Sequence, residues 1–309
     1  MARSASSSAP HNEQFASAVI TSRDNRWLKR FRAALAGECA EGEAIGVEGA
    51  RLVEAALGSR LKVEALLLSE SGARHFSRVA PLVAARVPVL RTSDKLFAAI
   101  ADTRTPQGIA ALVFPASASM ASLTQAAALS VALVGVQDPG NVGTIIRAAE
   151  AFGATGVATC VAGKVGTADP FGPKALRASA GSSLRMAVVA GISTAELMKQ
   201  LRTSAVKVYA AVADANGTVS SLATHAAPSL SSPSLPWEID WTVSSAILIG
   251  NEGAGLPEDL VRAADACVCV PQAPATAPVG IESLNAAMAA SVLLYEAMRQ
   301  RKKSGRKYS

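Results

Sequence analysis

The sequence contains few aromatic residues and no long apolar run, and both absences limit what the protein can be. Aromatic residues make up 4% of the 309 residues whereas hydrophobic residues make up 50%, so the core must be built mainly from aliphatic side chains. No apolar run approaches the roughly 18–20 residues that span a bilayer, so we expect a soluble, cytoplasmic protein without a membrane partner. Residues 1–15 lack the apolar segment of a secretory signal and are predicted to be a disordered leader.

Cysteine and histidine are also scarce, and their positions argue against metal or nucleophilic chemistry. The cysteines have no zinc-ligand spacing and lie in apolar or strand-like surroundings: Cys39, Cys160, Cys267 and Cys269. The histidines lie outside the three glycine-bearing segments described below: His11, His75 and His225. We therefore expect no bound metal, and a chemistry that depends on orientation more than on acid–base power.

The net charge of +6 is concentrated in two basic clusters at opposite ends of the sequence. The carboxyl-terminal cluster consists of Arg299, Arg301, Lys302, Lys303, Arg306 and Lys307. The amino-terminal cluster has Asp24 as its only acid and consists of Arg23, Arg26, Lys29, Arg30 and Arg32. Such clusters suit a phosphate-backbone partner, although a solvated basic surface is an equal alternative.

Hydrophobic periodicity predicts two α/β domains joined by a linker. Residues 16–115 form the first, which begins with a helix whose apolar stripe includes Ile20, Leu28 and Phe31. An Ala/Ser-rich linker covers 116–130, and a second domain covers 131–301, followed by a basic tail at 302–309. In the second domain strands that are apolar on both faces alternate with helices, which indicates a parallel sheet covered on both sides.

Three segments of the second domain place glycine or asparagine where a strand ends. In the first, VALVGVQDPGNVGTIIRAAEAFG, Arg147 lies about 100–140° from the centre of the apolar helix stripe, so it is not a core residue. Asn141 and Gly143 resemble an anion-binding strand-to-helix turn, but the glycines do not match the dinucleotide fingerprint GxGxxG. A solvent-facing arginine without a function is the alternative for Arg147.

The second and third segments add further candidates. In AILIGNEGAGLPEDL three glycines allow a close approach of backbone to ligand, and Glu252 between two of them has no obvious partner. In PVGIESLNAAMAASVLL, Ser283 is predicted to cap a helix that begins with Leu284 and Asn285. This helix is apolar almost all round to Leu294, so a sheet and another subunit must cover it.

Together these segments resemble, in order and spacing, the three motifs of the SpoU (TrmH-type) RNA 2'-O-ribose methyltransferases. The residues that carry the resemblance run from Asn141 to Gly153, from Gly250 to Leu256, and from Glu282 to Gln300. The segments ITSRDNRWLKRF, GVEGARLVEAAL and DTRTPQGIAALV resemble the ribosomal-protein-like substrate-binding domain of many family members. One departure is VPQAPATAPVGIESLN, which carries extra residues at 272–279.

The resemblance implies a SPOUT domain with a carboxyl-terminal trefoil knot, preceded by an RNA substrate-binding domain, and a homodimer. It implies S-adenosylmethionine as cofactor, held at Gly250, Val270 and Leu284. The positions that match the family's catalytic or RNA-contacting residues are Asn141, Arg147, Glu252, Ser283 and Asn285.

The reaction that the resemblance implies is methyl transfer to a ribose 2'-hydroxyl, and ribosomal RNA is favoured over tRNA as the substrate. Because a guanidinium is effectively always charged, Arg147 is better suited to clamp a phosphate and stabilise a developing alkoxide than to act as base. The alternatives are a tRNA 2'-O-methyltransferase and an inactive RNA-binding protein of ribosome assembly. A nucleotide-binding dehydrogenase lacks both the glycine fingerprint and an acid–base pair.

Overall fold

A computed structural model describes residues 17–59, 61–162, 165–213, 233–273 and 283–305. The predicted leader, the segment that contains Gly280 and Glu282, and the last residues of the predicted basic tail lie outside these ranges. The chain divides into two compact units, with the boundary between Pro115 and Ala116.

The first unit is a five-stranded mixed sheet with helices packed on it. Its strands are β1 (Ser17–Ile20), β2 (Ile45–Glu48), β3 (Lys62–Ser69), β4 (Val89–Thr92) and β5 (Ile109–Phe114). The helices are α1 (Arg26–Ala36), α2 (Ala50–Gly58), α3 (Phe76–Val79) and α4 (Asp94–Ala98). The strand order is β1-β4-β3-β5-β2, in which β1, β4 and β3 are parallel and β5 is antiparallel to both neighbours.

Two helices of the first unit are shorter than predicted. Ile20 belongs to strand β1, and α1 begins only at Arg26 because the side chain of Asn25 caps it by accepting a hydrogen bond from the Trp27 amide. The sequence also predicts a helix from Phe76 to Ala85, but this helix ends at Val79 and continues as one 3-10 turn that contains Pro81. Apolar spacing identified the buried residues Leu28 and Phe31 correctly but not the start of the helix.

The second unit contains a seven-stranded sheet. Its strands are β6 (Leu129–Val134), β7 (Gly156–Ala162), β8 (Val165–Gly166), β9 (Val188–Ser193), β10 (Lys207–Ala211), β11 (Ser245–Ile249) and β12 (Ala266–Val268). The order is β12-β10-β11-β6-β7-β8, with β9 also paired to β7. All pairings are parallel except that of the two-residue β8 with β7, which confirms the predicted parallel-sheet domain.

Helices cover both faces of this sheet. They are α5 (Ala121–Thr124), α6 (Pro139–Ala151), α7 (Pro173–Ala178), α8 (Thr194–Thr203), α9 (Glu258–Ala263) and α10 (Ala286–Lys303). One core contains α6 and α10, and a second contains α8 and part of α9. Helix α5 and the start of β6 lie within the predicted linker, and α10 extends two residues into the predicted basic tail.

The strand order places the functional loops side by side. Because β12, β10, β11 and β6 are parallel neighbours, the segments that follow their carboxyl ends meet at one edge of the sheet. Along the chain the first glycine-bearing segment follows β6, the second follows β11 and the third follows β12. No helix among the described residues is long and apolar enough to cross a membrane.

Candidate active site

A pocket of about 430 Å³ lies beyond the carboxyl ends of β10, β11 and β12. The structure brings Gly250, Val270 and Leu284 together in its lining, although they come from three separate segments. Ser283 and Asn285 also line it. The position at strand ends and the volume are those of small-molecule sites in open α/β sheets.

Gly250 in the second segment is required by the close approach of backbone to backbone. A Cβ on Gly250 would lie 2.3 Å from the carbonyl carbon of Gly255, so a side chain there would displace the loop. Asn251 and Gly255 exchange two backbone hydrogen bonds of 3.0 Å, which close the loop on itself. The Asn251 side chain accepts from the amides of Gly253 and Ala254 and donates to the carbonyl of Gly135. This asparagine therefore joins the second segment to the first.

Glu252 has three hydrogen-bond partners, all in the first segment, although the sequence suggested none. Its carboxylate accepts from the backbone amides of Gln137 and Asp138, each at 3.1 Å, and from the Asn141 side chain at 2.9 Å. The two amides belong to the turn that leads from β6 into α6. Glu252 therefore fixes this turn. Because the turn and Glu252 are far apart in the sequence, no local pattern reveals their contact.

Asn141 connects this carboxylate to the third segment. Its side-chain oxygen accepts a hydrogen bond of 3.0 Å from the Asn285 side chain, while its nitrogen donates to Glu252. Asn285 is also the N-cap of α10, since its side-chain oxygen accepts from the amides of Ala287 and Met288. The three segments thus share one chain of hydrogen bonds, Glu252–Asn141–Asn285, which we call the amide relay.

The cap of α10 corrects one prediction. Ser283 was expected to cap the helix, but it is exposed and lies two residues before the capping residue Asn285. Leu284, which was expected to be helical, precedes the helix and lines the pocket. Serine and asparagine are both favoured caps, so their preferences alone could not separate the two positions.

Two carboxylates of the protein, those of Glu252 and Asp138, place negative charge at the turn before α6. Partial burial raises the pKa of Glu252, but the hydrogen bonds from Asn141, Gln137 and Asp138 outweigh it and leave the pKa below its ordinary value. The hydrogen bond from Lys174 and that from the Gly140 amide lower the pKa of Asp138. Both carboxylates therefore remain ionised at neutral pH.

These carboxylates contradict an anion-binding turn at Asn141 and Gly143. Asp138 caps α6 by accepting from the Gly140 amide at 2.9 Å, and Glu252 already occupies the two preceding amides. Gly143 has a packing role, because a Cβ there would lie 2.3 Å from the carbonyl oxygen of Ala175 in α7. The turn resembles a phosphate site in sequence because both place glycine where a strand leads into a helix.

Arg147 is exposed on α6, as its angle from the apolar stripe predicts. It makes no hydrogen bond or ion pair with the residues described, and it is absent from the pocket lining. Arg185, by contrast, has an acidic partner, because it donates two hydrogen bonds to Glu150 of α6. Arg147 is therefore a cation whose hydrogen-bonding capacity remains available to a ligand.

Only part of the two basic clusters is available for phosphates. Arg301 is 6% exposed and donates to the carbonyls of Ala127, Ala128, Trp241 and Val243, so it is a structural residue. Arg299 pairs with Glu296 in α10. In the amino-terminal cluster Lys29 pairs with Asp24 and Arg30 with Glu64, while all five cations remain exposed.

The lining of the pocket fits a nucleoside-containing ligand that carries no phosphate. It combines backbone at Gly250, Gly253 and Gly255 with aliphatic side chains such as Val270 and Leu284, and none of its described residues is lysine or arginine. Main-chain groups and apolar side chains suit a nucleoside, and a described lining without cations disfavours a phosphate group. No group of three or more histidine, cysteine or acidic residues in the described part of the chain could hold a metal ion.

A parallel sheet with a pocket at its glycine-rich strand ends, next to an amide relay that joins three loops, is the arrangement expected of a SPOUT-type methyltransferase. The chain belongs to the SpoU rRNA Methylase family, whose profile matches residues 128–295. A second profile, the MRM3-like substrate binding domain, matches residues 40–111. Both the predicted family and its enzymatic class are confirmed.

Relatives and solved structures agree with this assignment. The chain is 33% identical over 253 residues to the 23S rRNA (guanosine(2553)-2'-O)-methyltransferase RlmP of Bacillus subtilis, which covers 81% of this chain and 86% of the relative. It is 34% identical to an uncharacterized tRNA/rRNA methyltransferase of Synechocystis, over 71% of this chain and 70% of the relative. An AdoMet-bound rRNA methyltransferase from Sinorhizobium meliloti superposes with a TM-score of 0.73 at 30% identity, covering 92% and 98% of the two chains. S-adenosylmethionine is accordingly the cofactor of this enzyme.

Proposed function

We propose that the protein transfers a methyl group to a ribose 2'-hydroxyl of 23S ribosomal RNA. The observation that carries the proposal is the amide relay, which joins all three family motifs beside a pocket suited to the cofactor. Sequence identity to a relative named as a 23S rRNA 2'-O-methyltransferase supports the choice of RNA. Because such an enzyme works where ribosomes are assembled, we also propose a cytoplasmic location.

In this proposal Gly250, Val270 and Leu284 hold the cofactor through backbone groups and aliphatic contacts. When bound, S-adenosylmethionine supplies an electrophilic methyl group on a sulfonium. Asn285 and Ser283 line the pocket at the end that adjoins the relay, so the ribose is received there. Glu252 and Asn141 act mainly by holding the loops in position, because their hydrogen-bonding groups are directed at one another and at the first segment.

Arg147 is assigned to the RNA. An exposed guanidinium without an acidic partner among the described residues can pair with a phosphate through two parallel hydrogen bonds. The same charge would stabilise negative charge that develops on the ribose oxygen as its proton leaves to water. Alignment of the attacking oxygen with the methyl group supplies several kcal/mol without any acid–base residue.

We further propose that the first unit contributes RNA binding through the exposed cations of α1. Arg26 and Lys29 lie on the face opposite the buried Leu28 and Phe31, and Arg23 precedes the helix. Two of the five cations in this cluster have acidic partners at the surface, where such pairs contribute little energy and exchange readily with phosphate.

The trefoil knot of the second unit likewise remains a prediction from the family.

A homodimer formed through α10 is the next proposal. Along this helix and just before it, exposed apolar residues recur at helical spacing: Leu284, Met288, Val292 and Tyr295. Met288 is 61% exposed in the single chain. An apolar stripe on an otherwise well-packed helix is typical of a surface that a second subunit covers.

Replacement of Met288 by glutamate is expected to convert the dimer to a monomer. In a two-fold interface the same surface of both subunits meets, so two new carboxylates would be buried close together. Light scattering at micromolar concentration should give the dimer mass for wild type and the monomer mass for Met288→Glu. Leu82→Glu, a similar change at an exposed residue of the first unit, should leave the dimer intact. A monomeric and active wild-type enzyme would contradict the proposal.

Mapping of 2'-O-methyl groups tests the reaction itself. RNA from cells with and without the gene should differ at one ribose of 23S rRNA, and wild-type protein should restore the modification. A difference confined to tRNA would replace the proposed substrate with the tRNA alternative. No difference in any RNA, together with failure of the protein to bind S-adenosylhomocysteine, would favour the inactive assembly protein.

A further inference from the structure

Five polar side chains line the pocket, and three of them are already used by the protein. They are Asn251, Glu252, Gln272, Ser283 and Asn285. Asn251 closes its own loop and binds Gly135, while Glu252 and Asn285 belong to the amide relay. Within the described part of the chain, Gln272 and Ser283 make no side-chain hydrogen bond. These two therefore have hydrogen-bonding groups to offer a ligand.

The two free side chains come from different segments of the chain. Ser283 is two residues from Asn285 and adjoins the relay, which is fixed to the turn after β6. Gln272 follows β12, at the opposite edge of the strand order β12-β10-β11-β6. Ser283 and Asn285 therefore adjoin the relay, where the methyl group is to be delivered, whereas Gln272 belongs to the part of the lining that follows β12.

We propose that the carboxamide of Gln272 recognises the edge of the adenine ring of the cofactor. A carboxamide presents one donor group and one acceptor side by side, which matches N7 and the exocyclic amino group of adenine, whereas the oxo analogue offers two acceptors at this edge. The neighbouring lining at Val212, Ala213 and Val270 is aliphatic, which suits the faces of the base. This inference rests on the proposed placement of the cofactor in this pocket, and it makes Gln272 a specificity-determining residue.

Binding to the full-length protein tests the proposal without any measurement of activity. Calorimetry would compare S-adenosylhomocysteine with S-inosylhomocysteine, in which an oxo group replaces the exocyclic amino group. Wild type should prefer the adenine form by about tenfold or more, the scale of one bidentate base contact. Gln272→Met, which keeps the length of the side chain but removes its hydrogen bonds, should weaken binding of S-adenosylhomocysteine by about tenfold and abolish the preference.

Two comparisons assign the contact to adenine. Methylthioadenosine, which lacks the amino-acid part of the cofactor, should lose affinity in Gln272→Met by the same factor as S-adenosylhomocysteine. Ser283→Ala, the matched change at the other free polar side chain, should retain the full preference for adenine over its oxo analogue.

The remaining outcomes overturn the proposal and identify which part is at fault. Equal affinity of wild type and Gln272→Met for S-adenosylhomocysteine would show that Gln272 makes no contact with the cofactor. Loss of affinity for S-adenosylhomocysteine but not for methylthioadenosine would move the contact to the amino-acid part. Failure of wild type to bind S-adenosylhomocysteine would instead overturn the proposed function.

Discussion

Arg147→Ala is expected to reduce methyl transfer by about 100-fold or more while affinity for the cofactor stays nearly unchanged. The side chain is exposed, does not line the pocket and has no partner among the described residues, so its removal leaves the cofactor site and the core intact. The size of the loss is that seen when one preorganised charge donor to a transition state is removed. Single-turnover methylation and calorimetry with S-adenosylhomocysteine would measure the two effects separately.

Two further variants make the Arg147 result specific. Thr144→Ala changes another exposed residue of α6, one turn before Arg147, and should retain activity. Arg147→Lys should recover little activity, because lysine retains the charge but loses the planar arrangement of donors. Parallel loss of cofactor binding and activity in Arg147→Ala would place the residue in the cofactor site or the fold. Near-normal turnover would make it an ordinary surface arginine.

Asn141→Asp is expected to have the largest effect of any conservative substitution in the relay. The Asn141 nitrogen lies 2.9 Å from a Glu252 oxygen, so aspartate would replace a hydrogen bond with two carboxylates in contact. Because Glu252 holds the turn before α6 and the relay reaches α10, all three motifs should be disturbed together. Activity should fall by about 100-fold or more and Tm by several degrees.

The pH dependence and a second substitution identify the cause. In wild type the pKa of Glu252 is lowered, so the stability from its hydrogen bonds is present above the ordinary glutamate pKa and is lost as pH falls through the lowered value. In Asn141→Asp the paired carboxylates raise one pKa, so the Tm deficit should shrink as pH is lowered toward that value. Adding Glu252→Gln removes the repulsion and should restore part of the lost Tm at neutral pH. A deficit that is independent of pH and unaffected by Glu252→Gln would exclude charge repulsion as its origin.

Most of the architecture follows from short-range features of the sequence. Strands that are apolar on both faces predict the parallel sheet, and the spacing of Val142, Ile145 and Ile146 predicts the orientation of α6 and hence the exposure of Arg147. Gly250 marks a position in the loop after β11 that only glycine fits. These properties depend on neighbours in the chain, which is why sequence patterns reveal them.

Properties that depend on distant neighbours were not predictable in the same way. Glu252 finds its donors more than a hundred positions away, and Asn285 and Asn141 are equally remote in sequence. Gly143, expected near an anion, is instead small because α7 packs against it. Arg301 resembled one more cation of a basic cluster until its carbonyl partners were known. Each depends on a tertiary contact that the local sequence does not encode.

Because Arg301 is buried in the last turn of α10, folding of the second unit depends on that turn. Its guanidinium donates to the carbonyls of Ala127 and Ala128, just before β6, and to those of Trp241 and Val243, just before β11. These contacts span about the whole sequence of the unit, and contacts of such high sequence separation form late and slowly. During synthesis the first unit can fold while the second is still incomplete, since domains fold as units as they leave the ribosome. Until residue 301 has emerged, the carbonyls around it lack their donor, so the methyltransferase core of the nascent chain gains these hydrogen bonds only after α10 has been translated.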